Sequence, residues 1–359
     1  MESVALETHA PAGQETSAIF LSPSVPQSLS PFTRMVQSSS SPVSNYRGRL
    51  APSPTGYLHA GHARTFWTAC KRARAARGVL VMRIEDLDAE RSHAQFTEAA
   101  LDDLRWLGMR WQEGPDVGGP YGPYVQSERQ ALYEAAWRKL LARGCLYPCR
   151  CSRKDIDAAR SAPHEGAFAT GAGGEALDDE PVYPGTCRPG TCRPGRSALH
   201  SGTSQLDEPA PQLPCPVPAE AIPAKGVNWR FHVPDGEAVE FLDANLGPQR
   251  FVAGKDFGDF VVWRRDGTPS YQLACVVDDA AMRITEVVRG ADLLKSTARQ
   301  ILLNRALGFN DPVWFHCQLL TDASGRRLAK RYDALSLRTL RERGLRPEQI
   351  LAGDLPTED

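Results

Sequence analysis

The sequence predicts an α/β protein built on a doubly wound parallel sheet. The first observation is a strand, a loop, a helix and a second strand in succession between residues 49 and 84. The second observation is another alternation of apolar strands and amphipathic helices between residues 260 and 307. Strands that are joined through helices pair in parallel with a right-handed crossover. Both blocks therefore favour a parallel sheet covered by helices.

The first block begins with a short strand at Arg49, which enters a loop rich in proline and glycine. A helical pattern then runs from about His59 to Arg77, and Gly78 is the predicted stop of that helix. The apolar residues 79–84 predict a buried strand. Together these elements make a βαβ unit.

The remaining elements follow the same patterns. Two amphipathic helices are predicted before the second block, and within that block strands and helices alternate. The predicted helices are 92–107, 127–143, 271–277 and 296–307, and the predicted strands are 260–263 and 284–288.

Composition limits the class of protein. The chain has 359 residues, of which 42% are hydrophobic and 24% charged, as is ordinary for a globular protein. No run of about 18 apolar residues is present, so no membrane span is expected. The formal net charge of −1 argues against a broadly cationic nucleic-acid binder, so any RNA contact must come from local patches.

The nine cysteines are an odd number and are unevenly spread. This distribution favours a reducing cytoplasm with one thiolate metal site over a disulfide framework. Zinc prefers four ligands and is well suited to thiolates, and the Cys-x-Cys spacing brings two sulfurs close together. The candidate ligands are Cys149 and Cys151, followed by Tyr183 and Cys187, with Cys192 as a rival because a Gly-Thr-Cys-Arg-Pro stretch is repeated in tandem. Four cysteines without a metal are the alternative.

The loop after the first strand is the main candidate for a nucleotide site. Glycine allows close approach of a ligand to the backbone, and a helix N-terminus favours phosphate. His59 and His62 lie three residues apart on one face of the first helical turn, where they can donate hydrogen bonds to a phosphate. A helix start with incidental histidines is the simpler alternative. The predicted ATP contacts here are Gly56, His59, Gly61 and His62.

Four motifs resemble the class I glutamyl- and glutaminyl-tRNA synthetase family, and they occur in that family's order. Arg49-Leu-Ala-Pro-Ser-Pro-Thr-Gly56 with His59-Ala-Gly-His62 resembles the HIGH region. Arg83-Ile-Glu-Asp86 and Val288-Arg-Gly-Ala-Asp-Leu293 resemble two further motifs, and Arg327-Leu-Ala-Lys-Arg331 resembles the mobile KMSKS loop. The resemblance implies a Rossmann-type core that activates glutamate with Mg-ATP.

The KMSKS-like loop departs from the family pattern at two positions. Arg327 replaces the usual first lysine and Ala329 replaces the usual serine, whereas Lys330 is retained. By resemblance, Lys330 contacts the ATP phosphates and acts with His59 and His62 in catalysis. A cation is what nucleotidyl transfer requires at that point.

A glutamate pocket needs cations for two carboxylates and an anion for the ammonium group. Arginine binds carboxylate in a bidentate fork, and ligands of α/β sheets bind at strand ends. By resemblance, the glutamate contacts are Arg49, Ser53, Glu85, Tyr271 and Arg289.

The cysteine pattern is similar to that of the bacterial glutamyl-queuosine tRNA(Asp) synthetases, in which Cys-x-Cys pairs with Tyr-x3-Cys. That resemblance implies one structural zinc and transfer of glutamate to the queuosine base in the anticodon of tRNA(Asp). It also implies a cytoplasmic, monomeric enzyme without an anticodon-binding domain. Local RNA contacts are expected from the arginines between Arg338 and Arg346. The alternatives are a truncated conventional glutamyl-tRNA synthetase, a non-catalytic tRNA-binding relative, and a small-molecule nucleotidyltransferase.

Domain boundaries follow from these assignments. Residues rich in serine and proline predict a disordered tail, although translation starting at Met35 would remove most of it. The predicted regions are a tail at 1–45, the first half of the core at 46–148, a zinc-binding region with a flexible insertion at 149–226, the second half of the core at 227–335, and a short C-terminal tail at 336–359.

Overall fold

The computed structural model describes residues 45–152, 154–156, 182–189, 223, 225–319 and 336–353. The predicted N-terminal tail, most of the predicted insertion and the loop that carries Lys330 lie outside the described residues. Within the described part of the chain, no helix is both long enough and apolar enough to cross a membrane.

The first βαβ unit forms as the sequence predicts. Strand β1 (Arg47–Leu50) pairs in parallel with β2 (Val79–Met82), and helix α1 (Ala60–Ala75) connects them. The apolar residues of α1 are buried against the sheet, which is the packing that an amphipathic helix requires.

Gly78 has a different role from the predicted one. Helix α1 ends at Ala75, and the left-handed backbone that follows belongs to Arg77, with φ of 51°. A Cβ at Gly78 would lie 2.5 Å from the carbonyl oxygen of Tyr46. Glycine is therefore required here for the close approach of two strands.

The middle of the chain forms an antiparallel sheet, which corrects one prediction. The strand Phe260–Trp263 was expected in the parallel sheet, but it lies at the edge of a three-stranded antiparallel sheet. A short buried apolar strand has the same local pattern in parallel and antiparallel sheets, so its partner strands determine in which kind of sheet it lies. The elements here are α2 (Ala94–Trp106), α3 (Gln130–Ala142), β3 (Leu146–Cys149), β4 (Asn228–Phe231), β5 (Ala238–Asp243), β6 (Gly247–Val252) and β7 (Phe260–Trp263), and the sheet order is β3-β4-β7.

The second parallel pair lies beside the first. Strands β8 (Glu286–Gly290) and β9 (Val313–Cys317) are parallel, and the hairpin of β5 and β6 extends this sheet in the order β6-β5-β9-β8. The amide of Thr285 donates to the carbonyl of Arg47 at 2.9 Å, so β1 runs alongside the start of β8. The helices of this block are α4 (Tyr271–Ala281) and α5 (Leu294–Leu307).

Residues 336–353 form two short helices, α6 (Leu337–Glu342) and α7 (Pro347–Ala352). The amide of Leu337 donates to the carbonyl of Leu58 at 2.7 Å, and Ser336 forms a β-bridge with His59. The side chains of Leu337 and Ile350 are completely buried. This segment therefore packs directly against the turn that begins α1.

Candidate active site and metal site

A cleft of about 1010 Å³ opens where the ends of β1 and β8 meet the N-terminus of α1. This is the edge at which parallel α/β sheets bind their ligands. The structure brings nearly all the described ATP and glutamate contacts that were predicted to its walls. The lining residues include Arg49, Ser53, His59, Gly61, His62, Glu85, Tyr271 and Arg289. Gly56 lies in the same loop but not on the cleft wall, and Lys330 lies outside the described residues.

The two histidines of the first helical turn form a stacked pair. The Nδ1 atom of His59 accepts a hydrogen bond from the Gly61 amide at 3.2 Å, and Nδ1 of His62 accepts from the His59 amide at 3.4 Å. Burial lowers the pKa of both side chains, and the neighbouring His59 ring lowers that of His62 further. Both rings are therefore neutral near pH 7, with their protons on Nε2, where they can serve as donors.

Gly61 is explained by the same geometry. A Cβ at this position would lie 3.0 Å from Cε1 and 3.1 Å from Nδ1 of His59. The sequence predicted that Gly61 allows a base or ribose to approach the backbone. The structure adds that its missing side chain makes room for the imidazole that caps α1.

Arg289 lies near the end of β8 and is held on three sides. Its Nε donates to His316 Nε2 at 3.3 Å, one terminal nitrogen donates to Thr297 Oγ1 at 2.7 Å, and the other to the Tyr271 hydroxyl at 3.5 Å. A guanidinium has five N–H donors. Two donors of Arg289 are thus left without a partner among the described residues, one on each terminal nitrogen, which suits a bidentate carboxylate.

Arg49 is the second guanidinium of the cleft and joins the two parallel pairs. It donates to the Val288 carbonyl at 2.9 Å, and its Nε lies 3.6 Å from Asp279 Oδ1. Glu85 accepts from Arg83 at 3.0 Å, and Arg83 also donates to Asp279 at 2.6 Å. The acidic and basic side chains under the cleft are therefore paired with one another, as buried charges must be.

Sequence reasoning missed the residues behind the cleft. His316 belongs to no motif, and its partners Asp243 and Thr297 are distant in sequence. Asp278 and Asp279 did carry a signal, because two adjacent acids follow an apolar run within helix α4. Acids at such positions must find buried cations.

The four predicted zinc ligands lie together. The sulfurs of Cys149, Cys151 and Cys187 lie within 4.8 Å of one another. The Tyr183 hydroxyl lies 3.4 Å from the Cys149 sulfur and 3.6 Å from the Cys151 sulfur. Ligands of a tetrahedral zinc ion with bonds of about 2.3 Å are separated by roughly 3.8 Å. Cys192, the rival ligand, lies outside the described residues.

Charged neighbours and one glycine fix this cluster in place. Arg188, next to Cys187, donates to both oxygens of the buried Asp259, at 2.7 and 2.5 Å. The Arg230 guanidinium lies 3.8 Å from the centre of the Tyr183 ring. A Cβ at Gly258 would lie 2.9 Å from the Tyr183 backbone nitrogen, so glycine allows the two segments to approach.

Comparison with known families identifies a match over most of the chain. Residues 45–172 and 221–353 match the family described as tRNA synthetases class I (E and Q), catalytic domain. A protein of Symbiobacterium thermophilum named glutamyl-Q tRNA(Asp) synthetase is 48% identical over 304 residues, which cover 85% of this chain and 84% of that protein. A protein of the same name from Nitratidesulfovibrio vulgaris is 42% identical over 316 residues, covering 86% and 87%.

Other similar proteins are longer than this chain. Glutamate–tRNA ligase 2 of Nitrosococcus oceani is 39% identical over 302 residues, which cover 84% of this chain and 57% of that protein. The crystal structure of a glutamate tRNA ligase from Elizabethkingia meningosepticum, in complex with its amino acid, is 28% identical with a TM-score of 0.61. The match covers 84% of this chain and 53% of that one, so the chain spans about half the length of that ligase.

Proposed function

Because the chain belongs to the class I glutamyl- and glutaminyl-tRNA synthetase family, we propose that it activates glutamate with ATP and transfers it to the queuosine base of tRNA(Asp). The observation that carries this proposal is that two guanidinium groups, a carboxylate and a neutral histidine pair line one cleft. The names of the Symbiobacterium and Nitratidesulfovibrio relatives support the choice of acceptor.

In the first step a glutamate α-carboxylate oxygen attacks the α-phosphorus of Mg-ATP in line. The new P–O bond forms as the bond to the β-phosphate oxygen breaks, and pyrophosphate leaves with its electron pair. The Nε2–H groups of His59 and His62 donate to the phosphate oxygens as negative charge develops there. Gly61 and the helix N-terminus contact ATP, Gly56 belongs to the loop that leads to them, and Lys330 neutralises the departing pyrophosphate.

The pocket discriminates by charge. Arg49 and Arg289 offer two guanidinium groups for the two carboxylates of glutamate, and Glu85 accepts from its ammonium group. Tyr271 is 38% exposed, and it supplies a hydroxyl on the cleft wall. Ser53, in the loop that follows β1, also lines the cleft and completes the set of glutamate contacts. Glutamine, whose side chain ends in a neutral amide, would leave one of the two arginines without a substrate carboxylate.

In the second step a hydroxyl of the queuosine cyclopentene ring attacks the acyl carbonyl carbon of glutamyl-AMP. The bond between that carbon and the phosphate oxygen breaks, and AMP leaves. The mixed anhydride is already activated, so no protein nucleophile is required. A cytoplasmic location and a monomeric state belong to the same proposal.

One structural zinc ion also belongs to the proposal. Three thiolates are donors that zinc prefers, and the Tyr183 hydroxyl lies where it would provide a fourth, oxygen ligand at a separation that suits a tetrahedron. Bound zinc would cross-link β3 to the segment 182–189, and it would supply no chemistry to the cleft. Cys149, Cys151, Tyr183 and Cys187 would hold it.

The deciding experiment is glutamate-dependent ATP–pyrophosphate exchange without tRNA, followed by transfer of labelled glutamate. We expect exchange without tRNA and transfer to tRNA(Asp) only when that tRNA contains queuosine. A His59→Ala/His62→Ala double variant is the matched control for contaminating synthetases. Absence of exchange would overturn the proposal in favour of a non-catalytic relative.

A second candidate is charging of tRNA(Glu) at its 3′ end. It is favoured by the 39% identity to the Nitrosococcus glutamate–tRNA ligase 2. In the same assay, tRNA(Glu) and unmodified tRNA(Asp) serve as alternative acceptors. Labelled glutamate on tRNA(Glu), in an ester that periodate treatment of the 3′ end prevents, would select this candidate.

A further inference from the structure

A buried chain of hydrogen bonds runs from Arg289 away from the cleft. The Arg289 Nε donates to His316 Nε2 at 3.3 Å, and His316 Nδ1 lies 2.6 Å from Asp243 Oδ2. The side chains of His316 and Asp243 are both completely buried. These hydrogen bonds therefore connect the arginine in the cleft to the turn of the hairpin formed by β5 and β6.

The hydrogen bond from Arg289 selects one arrangement of protons along these side chains. A guanidinium can only donate, so His316 Nε2 must accept from Arg289 and carries no proton. His316 Nδ1 must then carry the proton of the neutral ring and donate it to the Asp243 carboxylate. Thr297 Oγ1 accepts from Arg289 at 2.7 Å, and its one proton can go to the Leu293 carbonyl at 3.2 Å or to the same Nε2 at 2.9 Å, both of which fit this tautomer.

Asp243 is itself fixed by its own backbone turn. Its Oδ1 accepts from the amides of Asn245 at 3.0 Å and Leu246 at 2.8 Å. Its Oδ2 accepts from the His316 amide at 3.1 Å as well as facing Nδ1. Oδ1 therefore binds the amides of the turn, and Oδ2 binds His316.

We propose that Asp243 and His316 are positioning residues for the amino-acid substrate, which they orient by holding Arg289 through a fixed imidazole tautomer. The inference rests on the proposed function only in naming glutamate as that substrate. Asp243 keeps the proton on Nδ1, and Nε2 therefore stays an acceptor that aims the guanidinium. The two Arg289 donors that have no partner among residues placed in the structure are then presented to a carboxylate without further rearrangement.

The substitution Asp243→Asn tests this directly. The asparagine Oδ1 keeps the Asn245 and Leu246 amides, so its NH₂ group takes the Oδ2 position, where it loses the bond from the His316 amide and donates to His316 Nδ1. The imidazole proton must then move to Nε2, where it opposes the Nε–H of Arg289. We expect the KM for glutamate in pyrophosphate exchange to rise about 10-fold or more, with the KM for ATP unchanged.

Two substitutions of His316 separate positioning from packing. His316→Gln can place its amide oxygen near the Nε2 position and accept from Arg289, whereas His316→Phe removes the acceptor. We expect Gln to recover a substantial part of the glutamate affinity that Phe loses. Glu240→Gln, an exposed change in the same hairpin, is the matched control and should leave both KM values unchanged.

A measurement that needs no activity keeps this inference separate from the proposed function. Long-range ¹⁵N–¹H correlation spectra of histidine-labelled protein report each tautomer. The signals that are missing from the spectrum of His316→Gln are those of His316. We expect these signals to report an Nδ1–H ring in the wild type and an Nε2–H ring in Asp243→Asn. An Nε2–H or charged His316 in the wild type, or equal glutamate KM values in wild type and Asp243→Asn, would overturn the inference. Loss of exchange in the wild type would instead overturn the proposed function.

Discussion

The rings of His59 and His62 stack with their centroids 3.8 Å apart at the start of α1. Each Nδ1 is occupied by a backbone amide, so each ring has only its Nε2–H to offer a ligand. Stacking fixes the spacing of these two donors before any substrate arrives. Pre-arranged donors stabilise developing charge without the cost of reorganisation.

Replacing His62 by alanine should therefore lower kcat for pyrophosphate exchange about 100-fold, because one donor to the transition state is lost. The KM for glutamate should change little, since the arginines remain. Steady-state exchange kinetics measure both. His93→Ala, at an exposed histidine, is the control, and equal effects of the two substitutions would contradict the assigned role.

Arg289→Ala should remove glutamate activation while ATP still binds. Truncating this buried cation leaves a carboxylate of the bound glutamate unpaired, and a loss of about 100-fold or more in kcat/KM for glutamate is expected. Exchange kinetics with calorimetric ATP binding check this. Arg264→Ala, which breaks an exposed pair with Asp266, should be nearly silent. Unchanged activation in Arg289→Ala would mean that the pocket lies elsewhere.

Cys187→Ser should release zinc, and Cys192→Ser should retain about one zinc per chain. The reason is that the Cys187 sulfur lies 3.4 Å from that of Cys151, within the four-donor cluster. Elemental analysis of the purified variants decides between the two cysteines. The reverse pattern would assign the fourth ligand to Cys192, and full zinc in both variants would exclude each of them.

The stability of the protein should depend on pH through His316. Burial, with the nearby Arg289 charge, lowers the pKa of His316 to about 4, although the Asp243 carboxylate opposes this shift. An unfolded histidine has a pKa of about 6.5. Below pH 6.5 the unfolded chain binds a proton that the folded chain does not, so stability is lost as pH falls from 6.5 towards 4.

Between pH 6.5 and 5.5 the free energy of unfolding should fall by about 1 kcal/mol through His316. His316→Gln lacks this dependence, so the stability difference between wild type and variant should shrink by that amount over this interval. Urea denaturation at several pH values measures the difference. His93→Gln serves as the exposed comparison, and an unchanged difference for His316→Gln would contradict the prediction.

Arg83→Met should lower the free energy of unfolding by about 3–5 kcal/mol, because it leaves buried carboxylates without their cation. The Arg83 side chain is completely buried between Asp279 at 2.6 Å and Glu85 at 3.0 Å. Arg91→Met breaks an exposed pair with Asp88, which solvent screens, and should leave the free energy of unfolding nearly unchanged. Chemical denaturation compares the two, and equal losses would contradict the argument.

Local sequence patterns were enough to predict the elements of the first βαβ unit. Helix α1 and strand β2 bury the apolar residues that predicted them, and the motifs located Arg49 and Arg289 on one cleft. The hairpin of β5 and β6 was missed because its strands bury few residues: Val239 and Asp243 are the buried residues of β5, and β6 has none. No buried apolar run marks it.

The relationship between His316 and Asp243 could not be predicted from spacing. The two residues are 73 positions apart, and each is an ordinary residue in its own segment. The same limit applies to the antiparallel placement of β7, which depends on its partner strand β4. Long-range pairing is a property of the assembled fold, whereas periodicity reports only what a segment buries.

The cysteine cluster has a consequence for how this gene can be engineered. Cys151 and Tyr183 lie 32 positions apart, yet their side chains approach to 3.6 Å, so the chain returns to the place it left. Closing a longer excursion costs only about 0.6 kcal/mol for each doubling of its length. A fluorescent reporter or affinity tag inserted between residues 157 and 181 should therefore leave the cleft intact, which makes this the natural attachment point for labelled enzyme.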